Sequence, residues 1–438
     1  MTKFIDFSIL KNASWIIVSK FLQALLGLVT TMLVARYLGP RNFGVISYAA
    51  SLVGFLMPIV FLGINNVLVQ DITKNPKQEG MILGTSILIS LVSALFCMTG
   101  IFVFNSYANV GEVETIIVSS LYSLILVFQV LDLIQYWFQA KLLSKYSSIV
   151  SLFAYVLVSI YRIILLISQK NIYWFSVSNA LAYLVISVSL VILYNKLGGQ
   201  KLSVSKEVGK RLLKKSKYYI IPGLMIAIFA QTDRIMIKFM IGDVATGYYS
   251  AAITTTTIVS FVYVALIDSF RPVIFKYFDE SKDQFELSMK RLYSLIIYSS
   301  LAQAIVMTTF AGTIIDILYG HSYSGAINSL RIIGWYTMFS YLGSVRNIWI
   351  LSMNLQKYLF TINLSGAVLN VILNLTLIPL IGIEGAAIAS LATQFFSNFL
   401  IGFIVKPMRR NNNLIMSSLN PKYILSIFKG AKPFGGES

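Results

Sequence analysis

The chain is a succession of long apolar blocks separated by short polar segments. Each block runs for about 20 residues or more, the length at which a helix crosses the hydrocarbon layer of a bilayer. Strands of a membrane β-barrel are shorter and alternate in polarity, so the continuous blocks predict helices. Twelve blocks can be distinguished, at 15–38, 43–68, 81–104, 115–139, 149–168, 173–195, 218–241, 247–269, 291–315, 327–351, 358–381 and 383–405. The sequence therefore predicts an all-α integral membrane protein of about twelve transmembrane helices.

Three breaks between blocks are very short and contain a glycine, at Gly39, Gly242 and Gly382. The first two occupy equivalent places in the two halves of the chain, because Leu38–Gly44 aligns with Ile241–Gly247. We interpret this alignment as an internal repeat of two six-helix lobes. Six spans per half give both lobes the same orientation, so a pseudo-two-fold axis along the membrane normal should relate them.

Composition agrees with a membrane protein and sets its orientation. Of the 438 residues 57% are hydrophobic and 12% are charged, which is too little charge to cover a soluble protein of this length. The net charge of +18 would suggest a nucleic-acid partner in a soluble protein, but 26 of the 35 lysines and arginines fall in loops on one side. Loops on the other side hold only Arg41 and Lys170. The positive-inside rule then predicts that both termini lie in the cytoplasm. We expect membrane lipid, and no nucleic acid, as a partner.

The same reading divides the chain into four segments. We predict a first lobe at 1–195, a basic cytoplasmic link at 196–217, a second lobe at 218–405 and a cytoplasmic tail at 406–438. Within the link, Val204, Val208 and Leu212 fall on one helical face, with lysines and an arginine around the rest. This pattern is typical of an interfacial helix on anionic lipid, although an ordinary basic loop is the alternative.

The chain has one cysteine, Cys97, and one histidine, His321. Neither a disulfide within the chain nor a metal site can be built from them alone. The sequence also has no Gly-rich nucleotide loop of the Lys-Ser/Thr type and no paired histidine motif. We therefore expect no cofactor, no metal and no enzymatic activity.

Charged residues inside the spans are the candidate functional residues, because a charge in a bilayer is costly. Six are basic and three acidic: Lys20, Arg162, Arg234, Lys238, Arg331 and Arg346, against Asp132, Asp233 and Asp268. A basic excess suits an anionic ligand, and arginine in particular binds phosphate through two hydrogen bonds. For Lys20, Arg331 and Arg346, snorkelling to the membrane surface is the alternative.

Helical spacing groups these charges with neutral polar residues that would line a shared cavity. Gln231, Arg234 and Lys238 share a face of the seventh span, and Asn370 and Asn374 share one of the eleventh. The predicted substrate-binding residues are Arg234, Lys238, Arg162, Lys20, Gln231, Asn370 and Asn374. Hydrogen bonding between helices is the alternative for the two asparagines, and pairing with an acidic residue is the alternative for Arg234.

Coupling to an ion gradient would need an acidic residue that binds a proton or a cation. Asp132 is the first candidate, because it lies inside the fourth span among Gln129, Tyr136 and Gln139. Asp233 and Asp268 are the other two. A structural ion pair between Asp132 and Arg162 is the alternative.

Several segments resemble the polysaccharide-unit flippases of the Wzx type, in the multidrug/oligosaccharidyl-lipid/polysaccharide exporter superfamily. The motifs are Leu33–Pro40 with Phe43 and Gly44, Thr232–Ile237, Leu318–Gly320 with Leu330–Gly334, and Asn374 and Leu375 with Gly382–Ala389. The motifs follow the family's order, and the resemblance covers the chain from residue 10 to about residue 405.

The resemblance implies a flippase that works by alternating access in the bacterial inner membrane. Its substrate would be an undecaprenyl-diphosphate-linked oligosaccharide, moved from the cytoplasmic to the periplasmic leaflet for O-antigen, capsule or exopolysaccharide synthesis. A polysaccharide polymerase and a chain-length regulator are further implied partners. A cation-coupled multidrug exporter of the same fold is the alternative function, although such a pump favours acidic residues. A membrane polymerase or ligase is a third hypothesis, and it would usually carry a large periplasmic loop.

Overall fold

The computed structural model describes residues 7–428, and side chains within 15–16, 18–257 and 259–427. This described part is almost entirely helical and contains no β-strand. Its α-helices are α1 (Phe7–Phe61), α2 (Leu68–Lys74), α3 (Glu79–Ala108), α4 (Val113–Phe128), α5 (Gln135–Ala140), α6 (Ser144–Ile167), α7 (Ile172–Lys196), α8 (Lys206–Met240), α9 (Asp243–Glu280), α10 (Lys282–Thr309), α11 (Ala311–Tyr319), α12 (Ile327–Ser352), α13 (Lys357–Phe395), α14 (Ile401–Ile404), α15 (Arg409–Ser417) and α16 (Lys422–Phe428).

The helices agree with the twelve predicted spans. Nine helical segments of the described chain are long and apolar enough to cross a membrane. Two of them, Val18–Phe61 and Lys357–Ile404, have 44 and 48 residues, and each contains a break that divides it into two spans. The 26-residue helix α12 supplies a further span, although Arg331 and Arg346 make it less apolar. The fourth span consists of α4 and α5, with the short 3₁₀ segment Gln129–Ile134 between them.

Glycine produces the sharp breaks. Gly39 has φ 72° and ψ 171°, a conformation that side chains with a Cβ rarely adopt. Pro40 follows it directly and has no N–H to donate, so a new helix can begin there without losing a hydrogen bond. Gly242 and Gly382 also have positive φ, at 125° and 67°. The three turns predicted from the sequence are confirmed.

The described chain forms two compact units, one ending at Lys238 and the other beginning at Phe239. The seventh span, within α8, therefore belongs with the first six, whereas the sequence prediction starts a second lobe at residue 218. The predicted segments 1–195, 196–217, 218–405 and 406–438 remain a prediction about functional lobes. Residues 1–6 and 429–438 of these segments lie outside the described part of the chain.

Ion pairs attach the beginning of α8 to the first unit. The buried Asp71 carboxylate in α2 accepts hydrogen bonds from Arg211 at 3.0 Å and from Lys215. Just before α8, the Ser203 N–H donates to the Gly80 carbonyl at 3.3 Å. A Cβ on Gly84 would lie 2.3 Å from the Ser203 carbonyl oxygen, so only glycine allows this approach. The basic link is thus packed onto α2 and α3.

The apolar face predicted for this link packs inside the first unit, and an interfacial position of its basic face stays a prediction. Residues from Lys206 onward continue into the span as one helix, and the apolar face carries Val208 and Leu212 at 4% and 0% exposure. Both side chains pack in the apolar core of the first unit. The predicted amphipathic face therefore contacts protein rather than lipid.

Candidate functional site: a cationic interior in the first unit

Arg162 in α6 forms hydrogen bonds to neutral side chains on two other helices. Its Nε donates to Ser178 Oγ at 3.0 Å, its Nη1 to Thr30 Oγ1 at 3.2 Å and its Nη2 to Asn179 Oδ1 at 2.6 Å. Asn179 in turn donates to the Tyr122 hydroxyl at 3.1 Å. We call these five residues the arginine cluster. It draws together α1, α4, α6 and α7.

The cluster leaves positive charge and donor capacity unused. A guanidinium has five N–H groups, and the three hydrogen bonds of Arg162 use three of them. Within the described part of the chain no carboxylate pairs with Arg162. A guanidinium in this state can bind an anionic group with its two remaining N–H groups.

Arg234 in α8 lies near the same cluster. The Tyr122 hydroxyl is within electrostatic range of both Arg162 and Arg234. Arg234 Nη1 donates to Gln231 Oε1 at 3.3 Å. The Gln231 side chain packs against Gly54 of α1. A Cβ added to Gly54 would lie 2.7 Å from Gln231 Nε2. Three predicted residues, Arg162, Arg234 and Gln231, therefore lie in one region of the first unit.

A second polar region holds Lys20 and Asp132. They line a cavity of about 230 Å³ whose wall also includes Gln23, Gln135, Gln139, Ser148 and Tyr155. We call this cavity the polar pocket. Asp132 accepts a hydrogen bond from Gln135 at 2.5 Å and lies within electrostatic range of Lys20. The ion pair proposed between Asp132 and Arg162 is not formed, because the carboxylate is held by Gln135 in this separate pocket.

Tyr155 of α6 stands between the two regions. It lines the polar pocket, and it lies within electrostatic range of both Arg162 and Asp132. Gly27 of α1 packs against its ring, where a Cβ would be 3.9 Å from Tyr155 Cε1. The polar pocket and the arginine cluster are thus neighbours within the first unit.

Lys238 is occupied by an acidic partner. Its buried ammonium lies 2.5 Å from Glu112 Oε2 and 5.9 Å from the centre of the Tyr48 ring. Partial burial alone would raise the pKa of Glu112. Hydrogen bonds from Lys238 and Thr115, together with the nearby positive charges, have the larger effect, so the pKa of Glu112 is lowered. Lys238 is thus ion-paired at the end of α8, and its predicted contact with a substrate stays a prediction.

The other acidic candidates differ in their surroundings. Asp268 is half-exposed and pairs with Arg271 at 2.9 Å, one turn later in α9. The coupling role predicted for Asp268 therefore stays a prediction, with Arg271 as its partner in this structure. Asp233 is buried in α8, beside Arg234 in the chain. Its role in coupling remains a prediction.

Asn370 and Asn374 lie in the second unit and are completely buried in α13. Asn374 Nδ2 donates to Asn370 Oδ1 at 3.1 Å. This bond within one helix accounts for part of their hydrogen-bonding capacity. It is not the bond between helices that the alternative requires, so both the substrate contact and its alternative stay predictions.

The four partners of Arg162 were not predicted from the sequence: Thr30, Tyr122, Ser178 and Asn179. Thr30 is a polar residue of the first span, three residues after Gly27. The other three are polar residues within spans, and their pairing with Arg162 depends on how four helices pack. Glu112 was not among the predicted site residues.

A family model described as polysaccharide biosynthesis protein matches residues 9–278. An uncharacterized membrane protein of Methanocaldococcus jannaschii is 27% identical, over 96% of this chain and 87% of its own length. The capsular polysaccharide biosynthesis protein CapF of Staphylococcus aureus is 21% identical, over 88% of this chain and 96% of its own.

Solved structures share the fold. The lipid II flippase MurJ, in an inward closed conformation, superposes with a TM-score of 0.70 at 13% identity, over 95% of this chain and 93% of its own. An inward-facing multidrug resistance transporter of the MATE family, in the MOP superfamily, gives 0.68 at 14% identity, over 90% and 96%.

These likenesses confirm the predicted all-α fold of about twelve membrane helices and the resemblance to polysaccharide-unit flippases. Both solved neighbours are named as transport proteins. Since the family model matches more than half of its residues, this multi-pass membrane chain belongs to the polysaccharide biosynthesis protein family.

Proposed function

We propose that this protein is a flippase for undecaprenyl-diphosphate-linked oligosaccharides. It moves the diphosphate and its sugars from the cytoplasmic to the periplasmic leaflet of a bacterial inner membrane, with both termini in the cytoplasm. The observation that supports this proposal most directly is Arg162, a guanidinium inside the spans with no acidic partner among the described residues and with two N–H groups left for a ligand.

The chemistry of a diphosphate suits the arginine cluster. Its charge is spread over several oxygens, and Arg162 and Arg234 act on the same Tyr122 hydroxyl from different helices. Charge-assisted hydrogen bonds from arginine to phosphate oxygens are short and directional. Neighbouring hydroxyl and amide groups of Ser178 and Asn179 can exchange hydrogen bonds with sugar hydroxyls. Lys238 takes no part in this binding scheme, because Glu112 holds it.

The polar pocket supplies a place for coupling. Asp132 and Lys20 face the same cavity, and Tyr155 lies between this cavity and the arginine cluster. Binding of a proton or a cation at Asp132 would change the charge next to the substrate region. Asp132 is accordingly our proposed coupling residue.

Cation-coupled multidrug export is the alternative function. A site for cationic drugs needs carboxylates facing the ligand, whereas Arg162 presents positive charge. The basic excess at the arginine cluster therefore favours the flippase.

The test replaces Arg162 in cells whose surface polysaccharide depends on this chain. We expect Arg162→Ala to abolish the polymer and to leave lipid-linked repeat units on the cytoplasmic side, since each charge-assisted hydrogen bond contributes about 1.5–3 kcal/mol. Arg162→Lys should keep part of the activity, because it retains the charge but loses the paired geometry.

Arg331→Ala is the matched control. Arg331 is also an arginine within a predicted span, but it is exposed and donates to Asn328 at 3.0 Å. Immunoblots of membranes must show equal amounts of all three variants. Normal polymer in cells carrying Arg162→Ala at wild-type protein level would refute the proposed binding site.

A further inference from the structure

A large apolar groove lies in the first unit, away from the arginine cluster's hydrogen bonds. Its volume is about 440 Å³, and the second half of α1, α3 and α8 form its walls. Apart from Thr232, all of the lining residues lack a polar side chain capable of strong hydrogen bonding. The principal ones are Phe55, Ile59, Phe96, Gly100, Phe104 and Ile235.

The groove is open rather than filled by the protein itself. Phe96 and Phe104 on its rim are 78% and 45% exposed. Gly100 in its wall is equally open, because a Cβ at that position would meet no atom within 4 Å. The three helices therefore leave a space of about 440 Å³ that their own side chains do not fill. The shape of the groove suits the apolar chain of a ligand that enters from outside the protein.

Helix α8 connects the groove with the cationic region. Ile235 lines the groove, whereas its neighbour Arg234 bonds Gln231 and acts on Tyr122. Successive residues on a helix point about 100° apart, so the two side chains lie on different faces at the same depth. A ligand with an anionic group and a long apolar chain matches both faces.

We infer that the groove binds the polyprenyl chain of the diphosphate-linked substrate, an inference that rests on the proposed function. A free phospholipid tail gains little by leaving the bilayer, because the surrounding lipid is as apolar as the groove. A prenyl chain tethered to a diphosphate at Arg162 and Arg234 is different, since tethering gives it a high effective concentration at the groove. Aromatic walls at Phe55, Phe96 and Phe104 suit its repeated methyl branches.

The test compares two ligands with the same diphosphate and different chains, undecaprenyl diphosphate and the shorter farnesyl diphosphate. Their affinities are measured on the purified full chain in detergent micelles. Gly100→Phe fills the groove at a position with free space around it. Val92→Phe is the matched control, because Val92 is 61% exposed on the same helix and does not line the groove.

We expect the wild type and Val92→Phe to bind the longer ligand about tenfold more tightly, through the added dispersion contacts. Gly100→Phe should bind both ligands with similar affinity and bind farnesyl diphosphate as the wild type does. If Gly100→Phe still binds undecaprenyl diphosphate more tightly than farnesyl diphosphate, the groove does not bind the prenyl chain, and the proposed function is unaffected. Failure of the wild type to bind either ligand would overturn both.

Discussion

Replacing Asp71 by asparagine removes the negative charge that holds the beginning of α8 against the first unit. The carboxylate is 1% exposed, and it receives hydrogen bonds from Arg211 and Lys215. Asparagine has nearly the same volume but would turn either a neutral carbonyl or an N–H group towards these two cations. The change therefore tests the electrostatic contact with little change in packing.

The size of the effect follows from the exposure of the partners. Two charge-assisted hydrogen bonds contribute about 1.5–3 kcal/mol each. The Arg211 and Lys215 side chains are 33% and 42% exposed, so water can solvate both cations when their hydrogen bonds to the carboxylate are removed. A neutral asparagine also costs less free energy to bury than a carboxylate, which further reduces the destabilisation. We expect the free energy of opening the first turns of α8 to fall by about 1–3 kcal/mol. This is a change of about 5–150-fold in the opening equilibrium.

Hydrogen exchange measured by mass spectrometry reports this opening directly. Amides at 208–216 should exchange faster in Asp71→Asn by that factor, while those of α6 stay unchanged. Glu280→Gln is the control, because Glu280 is 54% exposed and lies 3.8 Å from Lys276, an arrangement that contributes little. If Asp71→Asn and Glu280→Gln both exchange like the wild type at 208–216, the ion pairs do not hold α8 in place.

Two further changes test the coupling residue and the ion pair at the other end of α8. Asp132→Asn should abolish gradient-driven translocation in proteoliposomes while diphosphate binding persists; transport at the wild-type rate would exclude Asp132 from coupling. Glu112→Gln should lower the midpoint of thermal unfolding in detergent at pH 7. The folded state holds the pKa of Glu112 below 4.5, so its contribution is present above pH 4.5 and is lost as the pH falls through the lower folded-state value. Identical unfolding curves at pH 7 would show that the pair adds no stability.

The sequence predicted the features that depend on local physics. Span lengths follow from bilayer thickness, and turns such as Gly39 follow from the rarity of positive φ outside glycine. The basic link shows the limit of this reasoning. Val208 and Leu212 form an apolar face, and an apolar face on a basic helix packs equally well on lipid or on protein. The docking of the link on Gly84 of α3 depends on a helix far away in the chain.

The candidate site was predictable as a set of charges but not as a geometry. Helical periodicity places Arg234 and Lys238 on one face of α8, yet four residues separate them by about 6 Å along the helix axis. That distance brings Lys238 to Glu112, while Arg234 remains beside Gln231. The spacing within one helix carries no information about which loop meets its end.

A buried arginine in the second unit shows why partners decide a role. Arg346 is 4% exposed, so the snorkelling alternative is wrong for it. It donates to the backbone carbonyl of Ser397, in the π-helical turn Phe396–Leu400. Such a turn interrupts the regular hydrogen-bond ladder of α13 and leaves carbonyls that need another donor.

Like Arg162, Arg346 forms no ion pair with any carboxylate in the part of the chain that the structure describes. Arg162, however, bonds only side chains, which a ligand can displace, and it acts on Tyr122 together with Arg234. A carbonyl held within a helix cannot move aside in this way, and for this reason we propose Arg162 rather than Arg346 as the contact of an anionic substrate.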